Sequence, residues 1–156
     1  MTTTASGRWR FWVAVAILCG PPLLLGIQGT RGSDWPDDPD LFRESAQAQS
    51  FADGHGLVDP YYMGEWIWYP PLVPALVAGI SKLTGSPVYE VYARAGAYLN
   101  MLGPILLAAL VARCFGSLAG LVALTAFLYR VPRGPTGLGP FYSTFLYSGN
   151  FAQALF

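Results

Sequence analysis

The sequence has few charged residues, at 12% of its 156 residues, which is about half the roughly 25% found in soluble domains. This shortage excludes an ordinary soluble globular domain, because 53% of the residues are hydrophobic and the mean hydropathy is +0.40. Nine basic residues balance nine acidic residues, so no excess of positive charge points to a nucleic acid, and we expect none as a partner. The composition favours a lipid bilayer as the partner.

Residues that commonly carry catalysis or bind metals are also scarce. The chain has one histidine and two cysteines, and neither Cys19 nor Cys114 has a histidine nearby in the sequence. The histidine, His55, lies in the turn sequence Asp-Gly-His-Gly, which is more typical of a solvated loop than of a ligand or base. There is no glycine-rich phosphate loop, no Ser/His/Asp arrangement and no internal repeat. The carboxylates are therefore the remaining candidates for chemistry.

Most of the carboxylates are concentrated in one window of the sequence. Between Arg31 and Trp66 there are eight of the nine acidic residues and only two basic ones, Arg31 and Arg43, so this window has a net charge of −6 and the rest of the chain +6. The acidic residues of this window are Asp34, Asp37, Asp38, Asp40, Glu44, Asp53, Asp59 and Glu65. Because apolar stretches flank the window on both sides, we expect an acidic loop outside the membrane.

The first apolar stretch, residues 11–30, is free of charge. As a helix it is about 30 Å long, which matches the hydrocarbon core of a bilayer and predicts a transmembrane helix. A cleavable signal peptide is the alternative, but the run is long and no Ala-X-Ala site follows it. Pro21 and Pro22 are expected to kink this helix rather than end it. Arg8 and Arg10 before it predict a cytoplasmic N-terminus.

A second uncharged stretch, residues 66–81, contains three prolines, so its helix is not expected to begin before Pro70. A helix ending near Leu83 is only about 20 Å long, which is too short to cross comfortably. We therefore prefer a short interfacial or re-entrant helix on the outer side to a full span, with Trp66, Trp68 and Tyr69 at the level of the lipid headgroups.

The second half of the chain predicts two further spans and the start of another. Ser86 before Pro87 is typical of an N-cap, and Glu90 and Arg94 are spaced for an i,i+4 ion pair. The predicted fold is all-α and polytopic. Its segments are 1–30 (N-terminus and first span), 31–69 (acidic external loop), 70–84 (short helix), 88–113 and 117–131 (spans), 132–150 (external loop) and 151–156 (start of a further span).

The acidic loop contains a predicted surface helix over residues 39–53. Pro39 suits the first helical position, which makes Asp38 the N-cap and places Asp40 in the first turn, where the helix dipole favours a carboxylate. The helix is too polar to span and is expected to lie along the membrane surface. Two interpretations stay open: Asp38 and Asp40 only stabilise the helix, or they bind a divalent cation or take a proton from an acceptor.

The order of these features resembles the GT-C superfamily of membrane glycosyltransferases, most closely in the layout of the oligosaccharyltransferase catalytic subunits. Asp40, fourteen residues before Gly54, stands where the family has an Asp in its first external loop. Tyr69-Pro70-Pro71-Leu72 resembles the Tyr-Pro segment that opens the family's short outer helix, and residues 119–132 resemble the span that leads to its second external loop. The resemblance covers most of the chain from Phe11 on.

One departure bears on the metal that this resemblance implies. Oligosaccharyltransferases complete a metal site with an acidic pair after a Ser-Gly or Ala-Gly in the second loop, whereas Ser148-Gly149 is followed here by Asn-Phe-Ala-Gln-Ala. A metal-independent GT-C enzyme is therefore the closer expectation, as is a GT-C-like membrane protein of the type related to pyruvoyl-tetrahydropterin synthase. A divalent cation, Mg²⁺ or Mn²⁺, held at Asp40 is the other reading.

The resemblance implies an inverting transfer of a sugar from a polyprenyl-phosphate donor on the outer face of the membrane. Asp40 or Asp38 would deprotonate or orient the acceptor. A second set of residues would bind the leaving phosphate and the sugar, although snorkelling and an aromatic belt also explain them. This set is Arg130, Arg133, Trp66 and Tyr69.

A second class of function also fits the pattern: a non-catalytic polytopic membrane protein or assembly subunit whose acidic loop docks another protein. The apolar end of the sequence also leads us to expect that these residues are the N-terminal fragment of a GT-C-like module. On that expectation the reading frame continues past Phe156, and the 156-residue product is inactive by itself.

Overall fold

The computed structural model describes residues 5–36, 38–129 and 146. The regular secondary structure of these residues is entirely helical. They contain no β-strand, and an isolated antiparallel bridge pairs Val58 with Trp66. The predicted all-α class is thereby confirmed. The loop expected at 132–150, apart from Leu146, and the segment 151–156 lie outside the described residues. The helices are α1 (Ala5–Thr30), α2 (Pro39–Ala52), α3 (Leu72–Thr84), α4 (Val88–Leu99), α5 (Leu102–Phe115) and α6 (Ser117–Tyr129).

Two helical stretches of the described residues are long and apolar enough to cross a membrane. They are Gly7–Thr30 within α1 and Val88–Phe115, which comprises α4 and α5. Helix α1 has 26 residues, a length of about 39 Å. It continues without interruption through Pro21 and Pro22, as the sequence indicates.

Helix α2 begins at the residue that the sequence predicts. Asp38 is its N-cap, with Oδ1 accepting a hydrogen bond from the backbone N–H of Asp40 at 2.8 Å, and Pro39 occupies the first turn. The helix ends at Ala52, and Gly54 follows with a φ of 87°, a left-handed conformation that glycine adopts without steric cost. The apolar positions of α2 face inward, where Leu41 and Ala48 are fully buried.

Helix α3 begins two residues later than predicted, at Leu72, and has 13 residues. Val73 and Val77 on one face are buried, whereas Leu72, Leu76 and Leu83 on the other face are exposed. Gly85 ends the helix at a φ of 74°. Because both faces are apolar and only one is covered, α3 differs from an ordinary surface helix, whose outer face is polar.

The predicted span 88–113 corresponds to the stretch Val88–Phe115, which is long and apolar enough to cross a membrane and which a short turn divides into two helices. Helix α4 ends at Leu99 and α5 begins at Leu102. The physical reason is Pro104, which has no backbone N–H and whose ring crowds the carbonyl of Asn100 four residues earlier. The chain is nevertheless helical or turn-like from Val88 to Phe115, which is 28 residues.

The expected N-cap of α4 is wrong by one residue. Pro87, not Ser86, occupies the N-cap position of α4, and no side chain caps it. The carbonyl of Ser86 instead accepts a hydrogen bond from Ser81 Oγ at 2.7 Å, which ties the turn back onto α3. The predicted i,i+4 ion pair between Glu90 and Arg94 is present.

Helices α5 and α6 form a tight hairpin with a single linking residue, Gly116, at a φ of 98°. The helices approach closely at Gly120, where a Cβ atom would lie 2.6 Å from the carbonyl oxygen of Ala108 and 2.7 Å from the Cβ of Ala112. The absence of a side chain at this position therefore lets the two backbones meet.

Two hydrophobic cores divide the fold into two units. The cap consists of α2, α3 and α4 around Leu41, Val77 and Tyr92, and Leu146 packs into the same core. The bundle consists of α1, α5 and α6, with α1 contributing Phe11, Val15 and Cys19. Helices α4 and α5 connect the two units, and α4 also packs against α1.

Candidate functional site

A cleft of about 780 Å³ lies in the cap between the first turns of α2 and the loop that leads to α3. Helix α2 contributes Pro39 and Arg43, and the loop contributes the other lining residues. These are Asp59, Tyr61, Tyr62, Glu65, Trp68 and Tyr69. We call this surface the cap cleft.

Backbone hydrogen bonds give the loop a narrow hairpin shape. The N–H of Asp59 donates to the carbonyl of Glu65 at 3.0 Å, and the N–H of Ile67 donates to the carbonyl of Leu57 at 3.0 Å. The turn between these arms closes through the N–H of Glu65 and the carbonyl of Tyr62 at 3.1 Å. Gly64 in this turn has a φ of 82°, a conformation that L side chains rarely adopt. The hairpin therefore presents its side chains from a defined backbone.

Asp59 is the buried carboxylate of the cap cleft, with 6% of its surface exposed. Its Oδ1 accepts a hydrogen bond from the backbone N–H of Tyr61 at 2.8 Å, which is the pattern of an Asx-turn. Pro60 between them has its φ fixed by the ring. The Asp-Pro-Tyr sequence thus orients both the carboxylate and the following tyrosines.

The hairpin is attached to α2 through side chains that line the cap cleft. Arg43 donates from Nη1 to the hydroxyl of Tyr69 at 2.6 Å, and its guanidinium carbon lies 4.9 Å from the centroid of the same ring, within the range of a cation–π contact. The indole N–H of Trp68 donates to Glu65 Oε2 at 3.2 Å. Both contacts restrict the orientation of aromatic rings at the cleft wall.

The resulting surface combines exposed aromatic faces with charged hydrogen-bonding groups. Tyr61, Tyr62 and Trp68 are exposed. The carboxylates of Asp59 and Glu65 can accept hydrogen bonds from hydroxyl or guanidinium groups. Flat apolar rings next to acceptors and one cation suit a ligand with both C–H faces and hydroxyl groups.

The sequence-predicted catalytic carboxylates stand on either side of the cleft residue Pro39 in sequence but do not line the cleft. Asp38 is half-buried and its Oδ1 is engaged as the N-cap. Asp40 is exposed in the first turn of α2, one residue from Pro39 and one turn from Arg43. Neither carboxylate is among the residues that line the cleft.

The other predicted site residues divide in the same way. Tyr69 lines the cap cleft, whereas Trp66, three residues earlier, does not line it and has 74% of its surface exposed. Arg130 and Arg133 lie outside the described residues. Within the described part of the chain, no three His, Cys, Asp or Glu side chains converge as a metal site. A divalent cation at Asp40 stays a prediction from the resemblance, and no chemical step is assigned to one.

Sequence reasoning missed Arg43, Asp59 and Glu65 as members of the site. The signal for Arg43 is its isolation, since it stands in the interior of the acidic window, where its charge is opposite to that of its neighbours. The signal for Asp59 is the Asp-Pro-Tyr-Tyr sequence, which combines an Asx-turn with paired aromatics. Glu65 carries no signal of its own.

A second polar cluster connects the link after α1 to helix α4. Arg94 donates to Asp34 Oδ1 at 3.1 Å and to the carbonyl of Ser33 at 3.3 Å, in addition to its pair with Glu90. Trp35 stacks on Tyr89, with ring centroids 4.1 Å apart and an interplanar angle of 4°. These contacts hold the start of the acidic window against the cap.

The fold and the cleft define an all-α protein with two helices of membrane-crossing length and an aromatic, acidic cleft in its cap. No protein-family model, curated protein or solved structure matches the chain. The resemblance to GT-C glycosyltransferases therefore stays a prediction from short motifs.

Proposed function

We propose that this chain is a multi-pass protein of the cell membrane whose cap lies on the outer face and binds the sugar of a polyprenyl-phosphate-linked donor, in a GT-C-like glycosyl transfer. Three features support the membrane placement: two long apolar helices, Arg8 and Arg10 before the first of them, and the acidic composition of the following loop. The N-terminus is then cytoplasmic.

The composition of the cap cleft carries the proposal of a sugar ligand. Its volume of about 780 Å³ lies in the range of about 300–1,000 Å³ that small-molecule sites occupy. Aromatic rings such as Trp68 and Tyr69 can stack on the apolar face of a pyranose. Asp59 and Glu65 can accept hydrogen bonds from its hydroxyl groups, and Arg43 supplies donors for an oxygen or a phosphate.

Asp40 keeps its proposed role as the base that activates the acceptor. Its carboxylate is exposed and stands on the first turn of α2, whose residues Pro39 and Arg43 line the cleft. An acceptor that approaches the sugar from this edge meets Asp40 before it meets the cleft wall. Asp38 is the weaker choice, because its Oδ1 is engaged as the helix cap.

The cleft can be tested with a pair of neighbouring tryptophans. Trp68 lines the cleft and Trp66 does not, yet the two are similarly exposed, at 78% and 74%. We expect Trp68→Ala to weaken binding of a polyprenyl-phosphate mannose by about tenfold, since base or sugar stacking on an aromatic ring contributes about 1–1.5 kcal/mol. Binding is measured by fluorescence titration of the full chain in detergent micelles.

Trp66→Ala is the matched control and should change the affinity less than twofold. Equal effects of the two substitutions would show that the aromatics act together as a membrane belt, and the cleft would lose its role as the sugar site. If neither substitution weakened binding, the cleft would likewise lose its role as the sugar site.

A second candidate function is an assembly subunit whose acidic loop docks another protein. The observation that favours it is the exposure of Asp40 and Asp53 outside the cleft, since a docking surface needs exposed charge and no cavity. Under this function Asp40→Asn weakens partner binding while Trp68→Ala leaves it unchanged. The sugar-transfer function predicts the effect of Trp68→Ala described above.

A further inference from the structure

A second groove, of about 420 Å³, lies where the outer end of α1 meets α4. Its lining from α1 includes the apolar side chains of Leu24 and Ile27, followed by the polar Gln28 and Thr30 and by Arg31 after the helix. Arg94 and Tyr98 of α4 complete the lining. The groove is separate from the cap cleft, with which it shares no lining residue.

The groove is amphipathic along the axis of α1. Leu24 is exposed on an apolar helix, and the polar side chains begin where that helix ends at Thr30. On the proposed membrane placement, on which this inference rests, this change from apolar to cationic coincides with the boundary between hydrocarbon and headgroups. A molecule that fills the groove therefore needs an apolar end and a polar end in the same order.

The two arginines retain hydrogen-bonding capacity toward the groove. A guanidinium has five N–H donors, and Arg94 uses three of them, one each for Ser33, Glu90 and Asp34. Arg31 makes no hydrogen bond to any part of the chain that the structure describes, and it is exposed. Guanidinium donors of this kind bind phosphate oxygens through charge-assisted hydrogen bonds.

The charges around the groove are balanced rather than positive. Asp34 and Glu90 accompany the two arginines, and the Asp34 side chain is 76% exposed although one of its oxygens accepts from Arg94. An acidic headgroup would place its net negative charge against two carboxylates. A headgroup with both a phosphate and an ammonium group matches all four charges.

A neighbouring groove of about 320 Å³ shares Arg94 and Tyr98 with the first. Apolar side chains of α3 and α4 line most of it, among them Ile80, Val91 and Leu99. A hydrocarbon chain in this space keeps its attached phosphate at Arg94. Because both grooves place apolar side chains beside Arg94, they suit a phosphate that is attached to hydrocarbon better than a free phosphate ion.

We infer that the groove between α1 and α4 binds a zwitterionic membrane phospholipid. Its phosphate contacts Arg31 and the remaining donors of Arg94, and its ammonium group contacts Asp34. The lipid packs between the bundle and the cap at the point where α4 leaves the cap, and it is a different ligand from the sugar donor proposed for the cap cleft.

The test measures lipid binding to the delipidated full chain by native mass spectrometry in detergent. Dioleoyl phosphatidylethanolamine is expected to bind at least tenfold more weakly to Arg31→Gln than to the parent chain, as the loss of a hydrogen bond between charged groups predicts. Arg10→Gln removes the same charge from the opposite end of α1 and should change the affinity less than twofold.

Two further arms identify the source of the phosphate and the headgroup. Glycerophosphoethanolamine, the soluble headgroup, should not bind at the concentration that saturates the lipid, and dioleoyl phosphatidylglycerol should bind more weakly than the ethanolamine lipid. Binding of the soluble headgroup, preference for phosphatidylglycerol, or an unchanged affinity of Arg31→Gln would each overturn the inference. None of these outcomes affects the Trp68 test, whereas release of the chain from membranes by carbonate would overturn the proposed function itself.

Discussion

Asp38 and Asp40 are separated by one residue, yet their side chains have different surroundings and different partners. Asp38 is half-buried and accepts the N–H of Asp40, which satisfies one of the donors that a helix start leaves free. The side chain of Asp40 is exposed in the first turn of α2, where the helix dipole stabilises its charge by a few tenths of a kcal/mol to about 1 kcal/mol. The pattern Asp-Pro-Asp predicts both positions, but only the folded cap shows that the residue between them, Pro39, lines a cleft.

This difference predicts separate effects of two substitutions. Asp38→Ala should lower the free energy of unfolding by about 1 kcal/mol, as the loss of an N-cap does. Asp40→Asn should change it by at most about 0.5–1 kcal/mol and, in the full-length protein, should abolish the release of polyprenyl phosphate from polyprenyl-phosphate mannose. Stability is measured by denaturation in micelles and release by chromatography of the lipid. Full activity of Asp40→Asn would exclude Asp40 as the base.

At the scale of helices, the prolines show what sequence patterns can and cannot predict. Pro21 and Pro22 lie in the interior of α1 without ending it, whereas Pro104 falls in the first turn after a break. The sequence predicts that α1 continues through its prolines but does not predict the break before Pro104, because the freed carbonyls depend on what packs around them. The start of α2 was predictable, since the Asp-Pro cap acts through neighbours in sequence.

The cap cleft illustrates the same limit. Its walls come from α2 and from a hairpin some twenty residues later, joined by the contact between Arg43 and Tyr69. Aromatic residues in this loop are visible in the sequence, but a membrane belt explains them equally well. The sequence does not distinguish Trp66 from Trp68, since both rings are exposed. Trp68, whose indole N–H donates to Glu65, is the one that lines the cleft.

The hairpin of α5 and α6 predicts an opposite response of two glycines to alanine. Gly120→Ala places a Cβ within 2.7 Å of Ala108 and Ala112, and because one contact is to backbone, the helices must separate. We expect a loss of about 1–3 kcal/mol in the free energy of unfolding, measured by titration from mild detergent into dodecyl sulfate.

Gly79→Ala is the control on α3, where nothing lies within 4 Å of the added Cβ. This substitution should leave stability unchanged or raise it by up to about 1 kcal/mol, through the better helix propensity of alanine. Equal effects at the two positions would mean that α5 and α6 do not meet at Gly120 in the membrane.

For the whole molecule, the contacts fix the directions of α4, α5 and α6 relative to α1. Arg94 in α4 reaches Asp34, just beyond the C-terminal end of α1, and the following α5 and α6 pack against Phe11, Val15 and Cys19 in its N-terminal half. The Tyr129 hydroxyl at the end of α6 donates to the carbonyl of Leu18, halfway along α1. The α5–α6 turn with Arg113 therefore lies toward the basic N-terminus, and the acidic cap lies at the opposite end, so the neutral total charge is divided between two ends.

This division predicts which cysteines a membrane-impermeant maleimide can label in intact cells. Cys114 in the α5–α6 turn is exposed and Cys19 is buried, so a single native site reports the basic end. With Cys114→Ser as background, His55→Cys and Lys82→Cys at exposed positions of the cap and of α3 should react from outside. Cys114 in the parent chain should react only after permeabilisation, because the positive residues around it favour the cytoplasm.

Labelling of Cys114 in intact cells would show that the topology is the reverse of the one proposed. Labelling of His55→Cys but not Lys82→Cys would mean that α3 crosses the bilayer, and the orientation of α4 with its phospholipid groove would reverse with it.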